Sequence, residues 1–469
     1  MIVLAALTIS AMMGCRDDEK KDSLRDAAVD GGPDGESDGG SRSDGSGVAD
    51  SATGDAALAD GGVLPPVACG PLDPPSGDVV EVHPADADSL RDIVGSAATG
   101  TTVLLHDGTY DMSGGDSIHR LVFSTPGVTL RSASGNPQNV VLDGGYVTGE
   151  LVSIAASNIT IAELTLTRAY YHPIHVTGAA DADIENTRIY RVRIIDPGEQ
   201  AIKVNPSTQN HYADNGIVEC CHLELTDSGR AEIRNNCYTG GVDAHAAWNW
   251  VIRLNTIVGF WCSSGLSEHG IHLWRKCRAT LVERNQIIDC ARSIGFGLAE
   301  TAAVNERQYP DDPYPNSGYM DHIDGVIRNN FVFAQSSALF ASDFGFDSGI
   351  ALAQARGAKV VHNTVVSTQA PFASLEYRFE NTAAEIKNNL LSHNLMERNN
   401  AQADCAGNQE EAPLTFFVDG AGGDLHLDTV GGVAAIDAGV DLAAGLCDED
   451  IDGEMRSGPR DVGADEVQP

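Results

Sequence analysis

The chain has 469 residues, of which 67 are Asp or Glu and 30 are Lys or Arg, for a formal net charge of -37. That balance argues against a nucleic-acid binder, because affinity for phosphate needs clustered cations that release counterions. Apolar residues make up 42%, enough for a sizeable core, and 50 glycines against 6% aromatics imply many turns.

Residues 1–14 are a short apolar run ending at Gly14-Cys15. The run is too short for a transmembrane helix and reads as a signal-peptide core. A small residue before cysteine, then a polar tail, resembles a bacterial lipoprotein signal. The resemblance implies a signal over 1–15, a lipid on Cys15 and membrane contact through that anchor alone. It also implies an outer-membrane or cell-surface location, towards which Arg16 leans. Met12 and Met13 depart from the lipoprotein pattern and a basic leader is missing, so an ordinary cleaved signal is the alternative. Residues 16–65 hold 13 acids and 5 bases among Gly, Ser and Ala. They cannot bury enough apolar surface to offset ordering entropy and are expected to form a disordered tether. The rest of the chain keeps 54 acids and 25 bases, so acidity is not confined to the tether.

Nine cysteines follow Cys15, none in a CxxC pair that would suggest zinc. An odd number leaves at least one free, and export would permit disulfides. Cys405 with Cys447 is a candidate clasp on the C-terminal segment.

At 89–98, Leu90, Ile93, Val94 and Ala97 recur at helical spacing before the strand-like TTVLLHDGTY. One amphipathic helix running into short strands suits the cap of an open β-stack. A two-part unit then recurs. Its first part is an alternating strand: LVSIA (151–155), PIHVT (173–177), AIKVN (201–205), GVDAH (241–245), GIHLW (270–274), SIGFG (293–297), GIALA (349–353) and SLEYR (374–378). Its second part is h-x-x-N-x-h, centred on Asn255, Asn285, Asn330, Asn363 and Asn389, with Thr187 and Cys221 in the Asn place of two variants. Units of this length mean a solenoid, and short alternating strands broken by turns specify an all-β, parallel β-helix. The body 66–400 is assigned to this solenoid and 401–469 to an acidic C-terminal cap. One coil between 297 and 349 escapes the register. The stacked asparagines are expected to satisfy backbone groups at a tight corner.

On these repeats, the chain resembles the right-handed parallel β-helix superfamily of pectate lyases. Its tail DGEMRSGPRDVGADE (452–466) is similar to the closing segment of exported bacterial β-helix proteins. The superfamily hosts lyases, hydrolases, epimerases and adhesins, so the resemblance implies the fold and leaves the activity open.

Two spacings are long, from Ile202 to Val218 and from Ile294 to Ile327, and they place loops at 206–217 and 299–325. Long loops in compact repeats are functional or mobile, and Tyr309, Tyr314 and Tyr319 in the second are candidates for stacking on sugar rings. Strand alternation turns Ile174/Val176, Ile202/Val204, Val242/Ala244, Ile271/Leu273 and Ile294/Phe296 inward. It turns His175/Thr177, Lys203/Asn205, Asp243/His245, His272/Trp274 and Gly295/Gly297 outward. Rungs about 4.8 Å apart make these a ladder, with the glycines leaving room for a ligand. Trp248, Trp250 and Trp261 are expected to pack at corners.

This polar stripe suits a uronate polymer, whose H-5 is removed by a base while a cation neutralises the carboxylate and an acid returns a proton. Tyr238-Thr-Gly-Gly-Val-Asp243-Ala-His245 resembles the Tyr…Asp-x-His element of alginate C5-epimerases, although that family has proline between Asp and His and a closer tyrosine. The resemblance implies His245 as base, Tyr238 as acid, Asp243 as orienter of His245 and Lys203 as carboxylate neutraliser. His175, Asn205, His272, Trp274, Arg275, Lys276 and Arg292 are candidate substrate contacts. Lyase-type relatives imply Arg275, Lys276 or Arg292 as base, with calcium on Asp243 and Glu268. No paired aspartates of polygalacturonase type are evident. Two other readings stay open: a non-catalytic module binding glycan or an envelope partner, and a transition-metal site on His175, Asp243, His245 and His272. Asp448-x-Asp450-x-Asp452-Gly453 mimics an EF-hand start but has Pro459 at the twelfth position. The partner is expected to be a polysaccharide and the protein a monomer.

Overall fold

A computed structural model describes residues 69–302 and 306–468; Cys15 and the segments 1–15 and 16–65 lie outside the described residues. The body is a right-handed parallel β-helix of three long sheets, each coil visiting them in the same order. The first sheet runs from Val79–Val82 to Gln402–Ala406, the second from Gly108–Asp111 to Leu390–Leu391, and the third from Leu121–Phe123 to Leu395–Arg398. Every strand pairing described in these sheets is parallel; the antiparallel strand pair Phe417–Asp419 with Asp424–Leu427 and the isolated antiparallel bridge Glu449–Met455 belong to the C-terminal cap.

Alternation places the core as expected. Ile174, Ile202, Val242, Ile271 and Ile294 stack from rung to rung and are fully buried. Each such side chain contributes roughly 2 kcal/mol through burial, which is why the register does not slip. The helix Ala87–Gly95 buries Ala87, Leu90 and Val94 and packs on Leu121–Phe123, the first strand of the third sheet.

The asparagine corner joins the first sheet to the second. The residue before each ladder position has positive φ: Leu254, Arg284, Asn329, His362, Asn388 and Gly407. That left-handed residue turns the chain, and the next asparagine satisfies the corner. Asn285 Oδ1 accepts the Asn255 N–H at 3.1 Å, while its Nδ2 donates to the Ile252 carbonyl at 2.9 Å. The pattern repeats through Asn330, Asn363 and Asn389 to Asn408. Asn408 ends the ladder from a coil the sequence repeat did not reveal.

Two expectations are corrected. No extra coil lies between 297 and 349, because Arg292–Phe296 pairs directly with Ser348–Ala353; the surplus residues are loop. Cys405 and Cys447 are free, the first exposed and the second buried, while the bonds formed are Cys69–Cys220 and Cys237–Cys262. The two long loops meet. Arg307 in the second forms a bidentate, buried pair with Asp214 in the first at 2.7 and 2.6 Å.

Candidate active site

The third sheet places the outward residues in the expected register: His175 beside Lys203, Lys203 beside Asp243, Asp243 beside His272, and His245 beside Trp274. They do not form an open stripe, however. Lys203, Asp243, His245, His272 and Trp274 are all buried. Half-buried groups remain at Glu150, His172, His175, Asn205 and Tyr238, which mark the accessible end of the ladder.

At its centre, the Lys203 ammonium donates to Asp243 Oδ2 at 2.5 Å, to the Tyr238 hydroxyl at 2.8 Å and to His245 Nε2 at 3.0 Å. An ammonium has three protons and no acceptor, so His245 Nε2 must accept and the ring is the neutral Nδ1–H tautomer. Asp243 Oδ1 accepts from the Trp274 indole at 2.8 Å. Asp243 therefore reaches His245 mainly through Lys203, its direct approach to Nε2 being 3.4 Å.

The electrostatics agree with that tautomer. Burial and then the Lys203 charge push His245 down to about 4, against the pull of Asp243. Burial alone would raise Asp243, but Lys203 and His245 outweigh it and hold the carboxyl well below its usual range. Burial would likewise lower Lys203, yet Asp243 and Tyr238 raise it. Burial pushes Tyr238 up to about 12 despite Lys203. At neutral pH the cluster holds an ion pair, a neutral imidazole and a neutral phenol.

The remaining candidates divide. His175 Nδ1 meets Glu150 at 2.6 Å and its Nε2 meets Asn205 at 3.1 Å, so these sit together at the open end. Arg275 is exposed and lies over the Trp274 ring at 4.7 Å. Lys276 pairs with Glu306 of the long loop at 3.4 Å. Arg292 is buried and donates twice to the Ser267 carbonyl, which ties it to the backbone and leaves it a poor base. His272 is fully buried and stacks on Trp274, so neither presents a free sugar-binding face. Gly295 does not leave room for a ligand, because the His269 ring occupies that space: a Cβ there would lie 2.6 Å from His269 Nε2. Gly297 is a corner glycine with φ 72°.

The loop tyrosines are anchored by hydroxyl bonds, Tyr309 to the Lys276 carbonyl, Tyr314 to Asp324 and Tyr319 to Asp321. Trp250 and Trp261 pack as expected, whereas Trp248 is half-buried against Tyr309.

The four residues proposed for a transition metal do not converge, since His175 turns to Glu150 and His245 to Lys203. Asp243 and Glu268 do not assemble the six to eight oxygens that calcium takes: Asp243 is bound to Lys203 and Trp274, and Glu268 lies among histidines. The Asp448–Asp452 segment likewise disperses its carboxylates, Asp450 onto its own turn and Asp452 onto His426.

Sequence reasoning missed Glu150, His172, Glu199 and Asn235, which come from segments entering the third sheet. Asn235 donates to Glu199 at 2.5 Å, and His172 Nε2 lies 3.5 Å from the same carboxylate. Burial lifts Glu199 to about 7 against the Asn235 bond and the Lys203 charge, so a carboxyl beside the cluster titrates near neutrality. The Tyr238-to-His245 spacing gave no sign of it. A separate cavity of about 330 Å³, lined by residues including Arg191, Arg193 and His222, lies on the second sheet and shares no residue with the cluster.

No family model matches the chain, and no curated protein matches it. Among solved structures, it is similar to an alginate lyase from Paenibacillus sp. str. FPU-7, at 15% identity over 70% of this chain and 99% of that one, with a TM-score of 0.46. It is similar to the pectate lyase Pel9A at 11% identity over 84% of this chain and 97% of that one, with a TM-score of 0.42. A polygalacturonase from Erwinia carotovora ssp. carotovora shares 10% identity over 73% of this chain and 97% of that one, with a TM-score of 0.36. At these scores the likenesses decide nothing about chemistry, which rests on the side chains described above.

Proposed function

We propose that the protein is an exported, surface-anchored β-helix that binds a uronate-containing polysaccharide and processes it by abstracting H-5, as a lyase or a C5-epimerase. The observation that supports this reading is the meeting of Lys203, Tyr238, Asp243 and His245 within hydrogen-bonding distance, with base and acid both neutral.

In the proposed mechanism, His245 removes H-5 and a cation stabilises the enolate-like charge on the substrate carboxylate. Lys203 is that cation. In the free protein it engages the His245 lone pair; a substrate carboxylate draws the ammonium towards itself and frees Nε2 for the proton. Tyr238, the half-buried partner of Lys203, is the acid. In cleavage it protonates O-4 as the C4–O4 bond breaks and the C4–C5 double bond forms. In epimerisation it returns a proton to C5 from the other face. The net charge of -37 opposes binding of a polyanion, but charges beyond about 8 Å are screened at physiological salt, so the local cation governs the encounter.

The burial of Lys203 and Asp243 favours a second reading, in which the cluster holds the sheet together and the open end only binds glycan. Proton NMR of the protein in D₂O with a panel of polyuronates separates the two. Olefinic H-4 growth identifies a lyase, and H-5 exchange without it an epimerase; either is lost in His245→Ala while bound glycan is retained. Binding without exchange or olefin across the panel leaves the non-catalytic module.

A further inference from the structure

Behind Asp243, on the side away from Lys203, the third sheet and its entry segment bring together Glu268, His269 and His272. All three are buried, at 4%, 1% and 0% exposure. The metal-binding atoms they offer lie within 4.8 Å of one another. His272 Nδ1 approaches Glu268 Oε2 at 2.9 Å, and His269 Nδ1 approaches the same oxygen at 3.9 Å. The shorter approach is a hydrogen-bond distance off ideal alignment, while neither ring nitrogen of His269 nor Nε2 of His272 has a hydrogen-bond partner. Arg292 stands 3.8 Å from Glu268 Oε2.

Three imidazole nitrogens withdrawn from water without hydrogen bonds are costly, because each has given up its bond to water without a replacement. Side chains aimed at one another in that condition are rare in native folds. The fold also makes room for the arrangement at one position: Gly295 on the next rung admits the His269 ring, where a Cβ would lie 2.6 Å from Nε2. The two rings then lie tilted by 39° at 4.3 Å between centroids, and His272 stacks on Trp274 at 4.9 Å.

We propose that Glu268, His269 and His272 form a buried site for a divalent transition ion of the zinc class. Two imidazole nitrogens and one carboxylate oxygen are a donor set that such ions take in four-coordination, with one further position open, and that calcium disfavours. The ion satisfies the orphaned atoms together and locks the ring column. Through Trp274, which donates to Asp243 Oδ1, it positions Asp243 against Lys203. The site does not depend on the proposed reaction and stands if the polysaccharide chemistry fails.

The test uses the full chain, purified without chelator. Elemental analysis is expected to find about one zinc-class ion per chain. Protein stripped of metal and reloaded with cobalt(II) is expected to show the intense visible bands of tetrahedral coordination. His269→Gln and His272→Gln should each weaken zinc binding by more than the 10–100-fold that loss of an outer-shell partner typically causes. His426→Gln, at the part-exposed His426, Asp452 and Asp465 cluster, should leave this binding unchanged. The proposal is overturned if folded, stripped wild-type protein takes up neither zinc nor cobalt at micromolar concentration. It is equally overturned if the cobalt bands persist in both histidine variants or disappear only in His426→Gln. Because the wild-type uptake and spectrum decide the first outcome, a variant that fails to fold does not rescue the proposal.

Discussion

Lys203 shows how one buried charge organises its surroundings. Its ammonium is 3% exposed as a residue and its three protons point at Asp243, Tyr238 and His245. An ion pair so deep adds little net stability, because desolvation offsets most of the Coulomb gain; removing one partner is a different matter. Lys203→Met leaves Asp243 buried without its cation, bonded to Trp274 and with the neutral ring of His245 3.4 Å away. We expect a loss of about 3–5 kcal/mol in urea unfolding, with the Lys203→Met/Asp243→Asn double variant recovering a large part of it. Equal losses in single and double variants would show that the pair is not coupled. The same cation keeps His245 neutral, so the energetic and the proposed chemical role meet in one side chain.

The corner asparagines are the clearest structural element of the coil. Each satisfies an N–H and a carbonyl of the preceding rung and has its own N–H accepted by the next asparagine, so an interior member is held from both sides. Asn330→Ala strips the acceptor from the Asn285 N–H and Nδ2, and it orphans the Val282 carbonyl. With about 1–3 kcal/mol per orphaned buried group, the expected loss is on the order of 3 kcal/mol by chemical denaturation. Asn408→Ala, at the half-buried end of the ladder, should cost about a third of that. Similar costs at both positions would mean the ladder is not cooperative. The entry segments to the third sheet are held differently. The Cys237–Cys262 bond joins the segments that precede two neighbouring strands and fixes Tyr238 immediately beside it. The Arg307–Asp214 pair does the corresponding work on the exit side, joining the two long loops.

Across the whole molecule, burial of histidine sets the response to acid. His172 and His322 are pushed down to about 3, first by burial and then by nearby positive charge or against a backbone bond, and burial holds His362 well below its usual value. A depressed histidine contributes stability in full above its unfolded value of about 6.5, and that contribution is lost as pH falls towards the folded value. Glu199, raised to about 7, acts in the opposite sense and opposes folding increasingly from pH 4.5 to 7. Among the described residues six histidines are lowered, His245, His269 and His393 joining these three, against four raised carboxyls, Glu199, Asp450, Asp465 and Glu466, so the urea midpoint should fall between pH 6.5 and 4.5. His322→Phe, beside Phe296 and Thr280, should flatten that slope by one proton's worth; an unchanged slope would refute the assignment of His322 as a neutral buried group.

The sequence by itself determined the coil, the inward core, the asparagine corner and the rung-to-rung neighbours of Lys203, Asp243, His245 and His272. These follow from local alternation: a strand has a side-chain period of two, and a one-residue slip would turn Ile202 or Ile271 out of the core. Tertiary structure decided that the outward ladder is roofed rather than open, that Gly295 shelters His269 rather than a ligand, and that Glu150, His172 and Glu199 join the site. Those outcomes depend on segments between strands, whose paths are set by distant partners such as Cys262 for Cys237 and Asp214 for Arg307. No periodicity records such pairings, because each is a single contact between residues far apart in the chain.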